Sequence, residues 1–232
     1  MKHPVSKYLN VFFQINWLKT IYYNFYLFPL KQAVKVPLLI DNYVVLDKLH
    51  RGGVIIDNQC LTFGMIRFGK PDLPTQDRRR NRMVIFVEEG SRITFRGKAT
   101  IGGGTKLLLR GNSELVLGDD FYVSLNSSFY CYKRIEFGSG CTIGWIVLIM
   151  DTDWHRTIDG ITGKTLSSVD EVRVGNHCWI CNDVQIQKGT VIPNNVIVAA
   201  KSLCNKKYDI PEHSLIAGIP AKLKKENIDY VR

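Results

Sequence analysis

The chain has 232 residues, 45% hydrophobic and 22% charged, the balance of a soluble globular protein with enough length for one large core or two small ones. Its formal net charge of +10 attracts anions: phosphorylated cofactors, nucleotides, acidic glycans or an anionic membrane surface. No nucleic-acid motif accompanies that charge, and no run of about 18 uncharged apolar residues occurs, so neither a nucleic-acid partner nor a spanning helix is expected.

The N-terminus, "MKHPVSKYLN", lacks the apolar stretch and small-residue cleavage site of a signal peptide, so a cytoplasmic protein is expected. Its six cysteines (Cys60, Cys131, Cys141, Cys178, Cys181 and Cys204) should then be reduced. The segment 8–30 is rich in aromatic residues and places Val11, Ile15, Leu18, Tyr22 and Phe25 on one helix face. That face should pack on the body of the protein or make peripheral contact with a membrane interface. Residues 1–60 read as a helical capping segment. The stretch 69–83 has two prolines and a run of arginines and reads as an exposed basic loop.

From there a six-residue beat governs the chain. Ile101 with Leu107, then Leu117, Val123, Phe129 and Ile135, then Phe137, Ile143 and Ile149 form successive registers. The clearest is Val174, Ile180, Ile186, Ile192 and Val198. A glycine often follows the aliphatic residue, and a small residue often stands four places after it, as at Thr105, Cys141, Cys178, Thr190 and Ser202. Neither a helix nor a lone strand has this period. A short strand and a corner every six residues, three to a triangular coil, explains it, with the aliphatic side chains stacked inside and Gly, Asn or Asp at the corners. The expected fold is mainly β: a parallel β-helix over 61–204. Residues 150–171 interrupt the beat and read as a projecting loop. Residues 205–232 leave the coil as a basic tail. "CWIC" at 178–181 has no second ligand pair for a zinc knuckle and reads as two small side chains of the repeat.

"VRVGNHCWICNDVQIQKGTVIPNNVIVAAKSL" at 172–203, followed by "AGIPAKLKK", resembles the hexapeptide-repeat acyltransferases, in particular the sugar O-acetyltransferases of polysaccharide and lipopolysaccharide synthesis. The resemblance covers about residues 85–225 and is strongest over 137–225. It implies a left-handed β-helix, a homotrimer and acetyl-CoA as acyl donor, with no metal. The sequence departs from the family at Cys181, where members carry glycine after Trp-Ile, and at Gly218-Ile219-Pro220-Ala221, where Gly-Asn-Pro-Ala is usual.

Acyl transfer from a thioester to an alcohol needs a base for the hydroxyl proton and donors for the oxyanion. Histidine suits the first task near neutral pH. Of His3, His50, His155, His177 and His213, the resemblance selects His155 in "DTDWHRT", at the start of the loop. Asp151 and Asp153 are the candidates to orient it. His177 reads as a corner residue and His213 as structural. Trp154 and Asn126 are candidate acceptor contacts, Asn126 having the alternative of a plain corner residue. Cys181, Ala199 and Ala200 match the edge that holds the pantetheine arm, and Lys206, Lys222 and Lys225 match basic residues near the cofactor's phosphates. Competing functions are N-acylation of an amino sugar and an inactive trimeric scaffold. A metal site in "DTDWH" and a β-helix carbonic anhydrase are weaker, since the chain lacks three histidines at metal spacing.

Overall fold

A computed structural model describes residues 11–74 and 76–231. Among these, parallel strands form three faces of eight, seven and six strands, visited in rotation along the chain, and one antiparallel strand closes the first face as its ninth. This is the parallel β-helix expected from the repeat, with the left hand that the family resemblance implies. His3 and residues 8–10 of the aromatic segment lie outside the described residues.

The beat is the winding of the coil. Ile40, Phe68, Ile101, Val123, Ile143, Ile180, Val198 and Ile216 stack in register up the inside of the first face. Leu107, Phe129, Ile149, Ile186 and Cys204 do the same on the second, and Leu117, Phe137, Val174 and Ile192 on the third. All are buried or nearly so. The small positions Thr105, Cys141, Cys178, Thr190 and Ser202 are also buried, where a larger side chain would displace the stack. Corner residues Asn126, Asp183 and Asn195 take positive φ, the left-handed region that Asn and Asp tolerate.

The coil begins earlier than the beat does. Strands Leu38–Ile40, Val44–Lys48 and Val54–Ile56 already open the three faces, inside the stretch read as a cap. The cap proper is the helix Trp17–Leu27 (α1), started by Asn16, whose side chain accepts from Lys19 N–H, and followed by the short helix Leu30–Ala33 (α2). α1 covers the open edge of Leu38–Ile40. Asn24 exchanges hydrogen bonds with the Leu38 backbone at 2.7 and 3.2 Å, and Ile40 N–H donates to Thr20 Oγ1 at 3.1 Å. An unpaired strand edge needs donors and acceptors, so the polar side chains of α1 turn inward. The face expected to pack on the body is turned outward over this helix: Leu18, Tyr22 and Phe25 are 87%, 61% and 48% exposed. Ile15, ahead of the helix, is buried.

The outer side of the third face carries a ladder of alternating charge. Arg92 and Arg134 pair with Glu114 on the coil between them, Arg134 also pairs with Glu136 along its own strand, and Glu136 reaches Arg96. At the other end of the chain the tail folds back antiparallel as Lys222–Lys225 on Leu215–Ala217.

Candidate functional site

The insertion leaves the coil after Leu148–Met150, at the corner between the second and third faces, and returns at Val172–Val174. It contains a small antiparallel hairpin of Thr157–Ile158 with Thr165–Leu166. Its root is fastened to the coil. Lys188 Nζ pairs with Asp153 Oδ2 at 2.6 Å and donates to Ser167 O at 2.6 Å, and Asp170 N–H donates to Asp151 O at 3.0 Å. Trp154 takes positive φ and meets Tyr130 and Tyr132 edge-on, with ring centroids 5.5 and 5.2 Å away. His155 follows Trp154 in the chain and is exposed to solvent. Among the described residues no side chain hydrogen-bonds its ring.

The two aspartates are therefore not its orienting partners in this conformation. Asp151 is fully buried and accepts three backbone N–H groups, from Tyr132 at 2.7 Å and from Lys133 and Arg134 at 2.8 Å. Burial pushes its carboxyl above the ordinary range, while these amides pull the other way. It holds the corner one coil below the loop. Asp153 is exposed but engaged by Lys188.

A second feature lies at the opposite edge of the same face. At the corner between the first and second faces, Asn126, Ile146, Asp183 and Lys201 form a column of residues at positive φ. Asn126 is half-buried against the coil below: a Cβ on Gly104 would sit 1.9 Å from its Oδ1, so glycine is required there and Asn126 serves the corner. Ile146 is unusual, a β-branched residue held in the left-handed region and 55% exposed beside Trp145. Higher on this corner, Asp183, Gln185, Lys201, Ser202, Leu203 and Ile219 line a groove of about 270 Å³. Cys181 and Ala199 lie half-buried, and Ala200 exposed, on the adjoining turns. The departing chain forms the groove's lip: Gly218 N–H donates to Ser202 Oγ, Leu203 N–H to Gly218 O, and Ala221 N–H to Leu203 O. Lys222 and Lys225 follow directly, exposed. Lys206 does not join them. Its carbonyl accepts from Val191 N–H on the third face, and its Nζ lies 5.5 Å from the Tyr208 ring, so it belongs to the other corner.

Burial raises the Cys181 thiol to about 11, that of Cys204 to about 11, and that of Cys131 further. These thiols stay protonated at neutral pH and are poor nucleophiles. The remaining described histidines have fold roles. His50 bonds backbone carbonyls of a turn, and His177 and His213 both face Asp229 at 3.3 Å, gripping the tail while Tyr230 stacks on His177. Among the described residues no cluster of three His, Cys, Asp or Glu side chains stands at metal spacing. Tyr130, Tyr132, Lys188 and Lys201 were not singled out by the sequence. Lys201 follows the matched Ala199-Ala200 and could have been; the two tyrosines and Lys188 become neighbours of the loop only when the coil closes.

No family model matches the chain. Among curated proteins it is similar to WbbJ of Escherichia coli K12, a lipopolysaccharide biosynthesis O-acetyl transferase by name, at 27% identity over 70% of this chain and 88% of the relative. It is also similar to the polysialic acid O-acetyltransferase of Escherichia coli O1:K1, at 24% identity over 64% of this chain and 41% of the relative. Among solved structures the polySia-specific acetyltransferase NeuO has the same fold, with a TM-score of 0.59 and 15% identity over 84% of this chain and 79% of that one. The relatives are O-acetyltransferases of the hexapeptide-repeat type, and the resemblance read from residues 85–225 is to them.

Proposed function

We propose that this acyltransferase of the hexapeptide-repeat type moves an acetyl group from acetyl-CoA to a sugar hydroxyl during synthesis of a surface polysaccharide or lipopolysaccharide. His155 takes the proton of the acceptor hydroxyl. The oxygen attacks the thioester carbon directly, the tetrahedral oxyanion rests on backbone N–H groups, and the C–S bond breaks as the coenzyme A thiolate takes the proton back from His155. No acyl-enzyme is formed, in keeping with the raised thiol of Cys181. The groove beside Ser202 and Ile219 suits the pantetheine arm, because small side chains at Ala199 and Ala200 leave backbone within reach. Lys201, Lys222 and Lys225 supply charge for the nucleotide phosphates, and Trp154 with Tyr130 offers a face for a sugar ring. Asn126 and Lys206 are assigned no contact. The working unit is a homotrimer in the cytoplasm, where a groove on one subunit faces the His155 loop of the next.

The observation that carries this reading is a solvent-facing histidine at the head of the loop, next in sequence to Trp154 with its two tyrosine contacts, on a coil similar to sugar O-acetyltransferases. The test is release of coenzyme A from acetyl-CoA across a panel of neutral, acidic and amino sugar acceptors, each with the parent chain and with His155→Ala. Turnover of the variant should fall by about two to four orders of magnitude. Near-parent turnover on a confirmed acceptor would remove His155 from the mechanism.

A further inference from the structure

Among the described residues, the outward apolar face of α1 has no partner. The helix's inward side carries Thr20 and Asn24, both fully buried and spent on the edge strand, with Leu27 buried at its end and Tyr23 and Tyr26 packed against the core. Its outward side is Leu18, Ile21, Tyr22 and Phe25, and the exposed apolar surface continues through Phe12 and Phe13 before it and Leu30 and Val34 after it. A surface helix turns its apolar stripe to the core, whereas α1 carries a second apolar stripe toward solvent. A surface of this extent on a soluble chain marks an interaction site.

The charge around it is one-sided. The first 40 residues contain five lysines and no aspartate or glutamate, the first acid being Asp41. Of the described ones, Lys31 and Lys35 are exposed beside Leu30 and Val34, and Arg51 lies 5.6 Å from the Tyr26 ring at the end of α1. Aromatic and aliphatic side chains on one face, rimmed by lysines and free of acids, match an anionic bilayer surface, where rings sit at the headgroup level and the cations meet phosphate. A second copy of the chain is a poorer fit, because two such faces would bring lysine against lysine. No helix of the described residues is long and apolar enough to cross a membrane, which leaves contact in the plane of the interface.

We infer that α1 and its flanks form a docking surface for an anionic lipid bilayer, which α1 meets lying flat with Leu18, Tyr22 and Phe25 inserted and Lys31 and Lys35 against the headgroups. The surface is separate from the His155 loop and the groove, and it would bring the enzyme to an acceptor carried on lipid. That last step rests on the proposed acetyl transfer; the docking itself does not.

Flotation of the full-length chain with vesicles tests it without any turnover. Vesicles of phosphatidylcholine with about a third phosphatidylglycerol should carry the protein upward, and vesicles of phosphatidylcholine alone should carry much less. Leu18→Glu with Phe25→Glu changes two solvent-facing positions of a good helix and should cut the bound fraction at least tenfold. Lys31→Gln with Lys35→Gln should cut it by about fivefold per lysine, and raising salt should mimic that loss. The unchanged far-ultraviolet circular dichroism of both variants would show that the cap is intact. Three results would overturn the inference: no flotation of the parent on anionic vesicles, equal flotation on neutral ones, or a Leu18→Glu/Phe25→Glu variant that floats like the parent and differs only in oligomeric mass. The last would make the face a contact between copies.

Discussion

Replacing Asp151 by asparagine separates a role in the fold from a role in the chemistry. The sequence places this carboxylate four residues before His155, and the structure spends both its oxygens elsewhere. Oδ1 accepts one backbone N–H and Oδ2 accepts two, at a fully buried corner. An asparagine keeps one acceptor oxygen. In its better orientation that oxygen serves Lys133 and Arg134, and the amide nitrogen then points at the Tyr132 N–H, donor against donor. One buried amide is orphaned, which costs about 1–3 kcal/mol, and the two surviving bonds lose the strength that ionisation gave them, since charge-assisted bonds are roughly twice as strong as neutral ones. Together these come to about 3 kcal/mol. For a chain of this size that lowers Tm by about 6–12 °C. Thermal unfolding followed by circular dichroism measures it, and kinetics taken well below both melting temperatures measure the other half. With Asp151 holding the corner, kcat of Asp151→Asn stays within about threefold of the parent. An unchanged Tm together with a kcat loss of orders of magnitude would show that the carboxylate acts on His155, and the assignment to the fold would be wrong.

Two further outcomes follow from the same geometry. Lys222→Ala with Lys225→Ala should raise KM for acetyl-CoA about tenfold or more, because each charge-assisted phosphate contact is worth about 1–3 kcal/mol, while the acceptor KM stays put; a rise in the acceptor KM alone would place these lysines on an anionic glycan. Mass spectrometry after brief maleimide treatment of the native chain at pH 7 should find one rapidly labelled thiol, the exposed Cys60, and Cys60→Ser should abolish it; fast labelling of Cys181 would mean that its thiol is not held up by burial.

Legibility of the fold followed the spacing of the coils. Ile180 to Val198 is 18 residues, three beats of six, whereas Val123 to Ile143 is 20 and Ile101 to Val123 is 22. Toward the N-terminus the strands lengthen from two residues, as in Trp179–Ile180, to four, as in Arg92–Phe95 and Glu114–Leu117. Extra residues in strands and corners dilute the period, so the first coils were hidden inside a stretch read as a cap. Of the two alternatives read for the apolar face of α1, packing on the body fails for Leu18, Tyr22 and Phe25 for a different reason. Apolar periodicity assumes that a helix meets a core, but this helix meets the open edge of a strand, whose backbone groups need Thr20 and Asn24 more than they need leucine.

The same limit applies to the site. Residues 150–171 were legible as a loop because they break the beat, and the groove's neighbourhood was legible because "VAAKS" and "AGIPAK" stand in order at the end of the coil. What the sequence could not supply is the arrangement across the second face. Lys188 reaches back to Asp153, and Tyr130 and Tyr132 reach up to Trp154, through contacts between coils that no local pattern encodes. The coil sets the groove at one edge of that face and His155 at the other, so a single chain holds the proposed donor groove and the proposed base apart. That separation is the physical reason for proposing a trimer: transfer requires the thioester and the acceptor hydroxyl to meet, and a neighbouring copy that presents its His155 loop to this groove joins the two without any rearrangement of the coil.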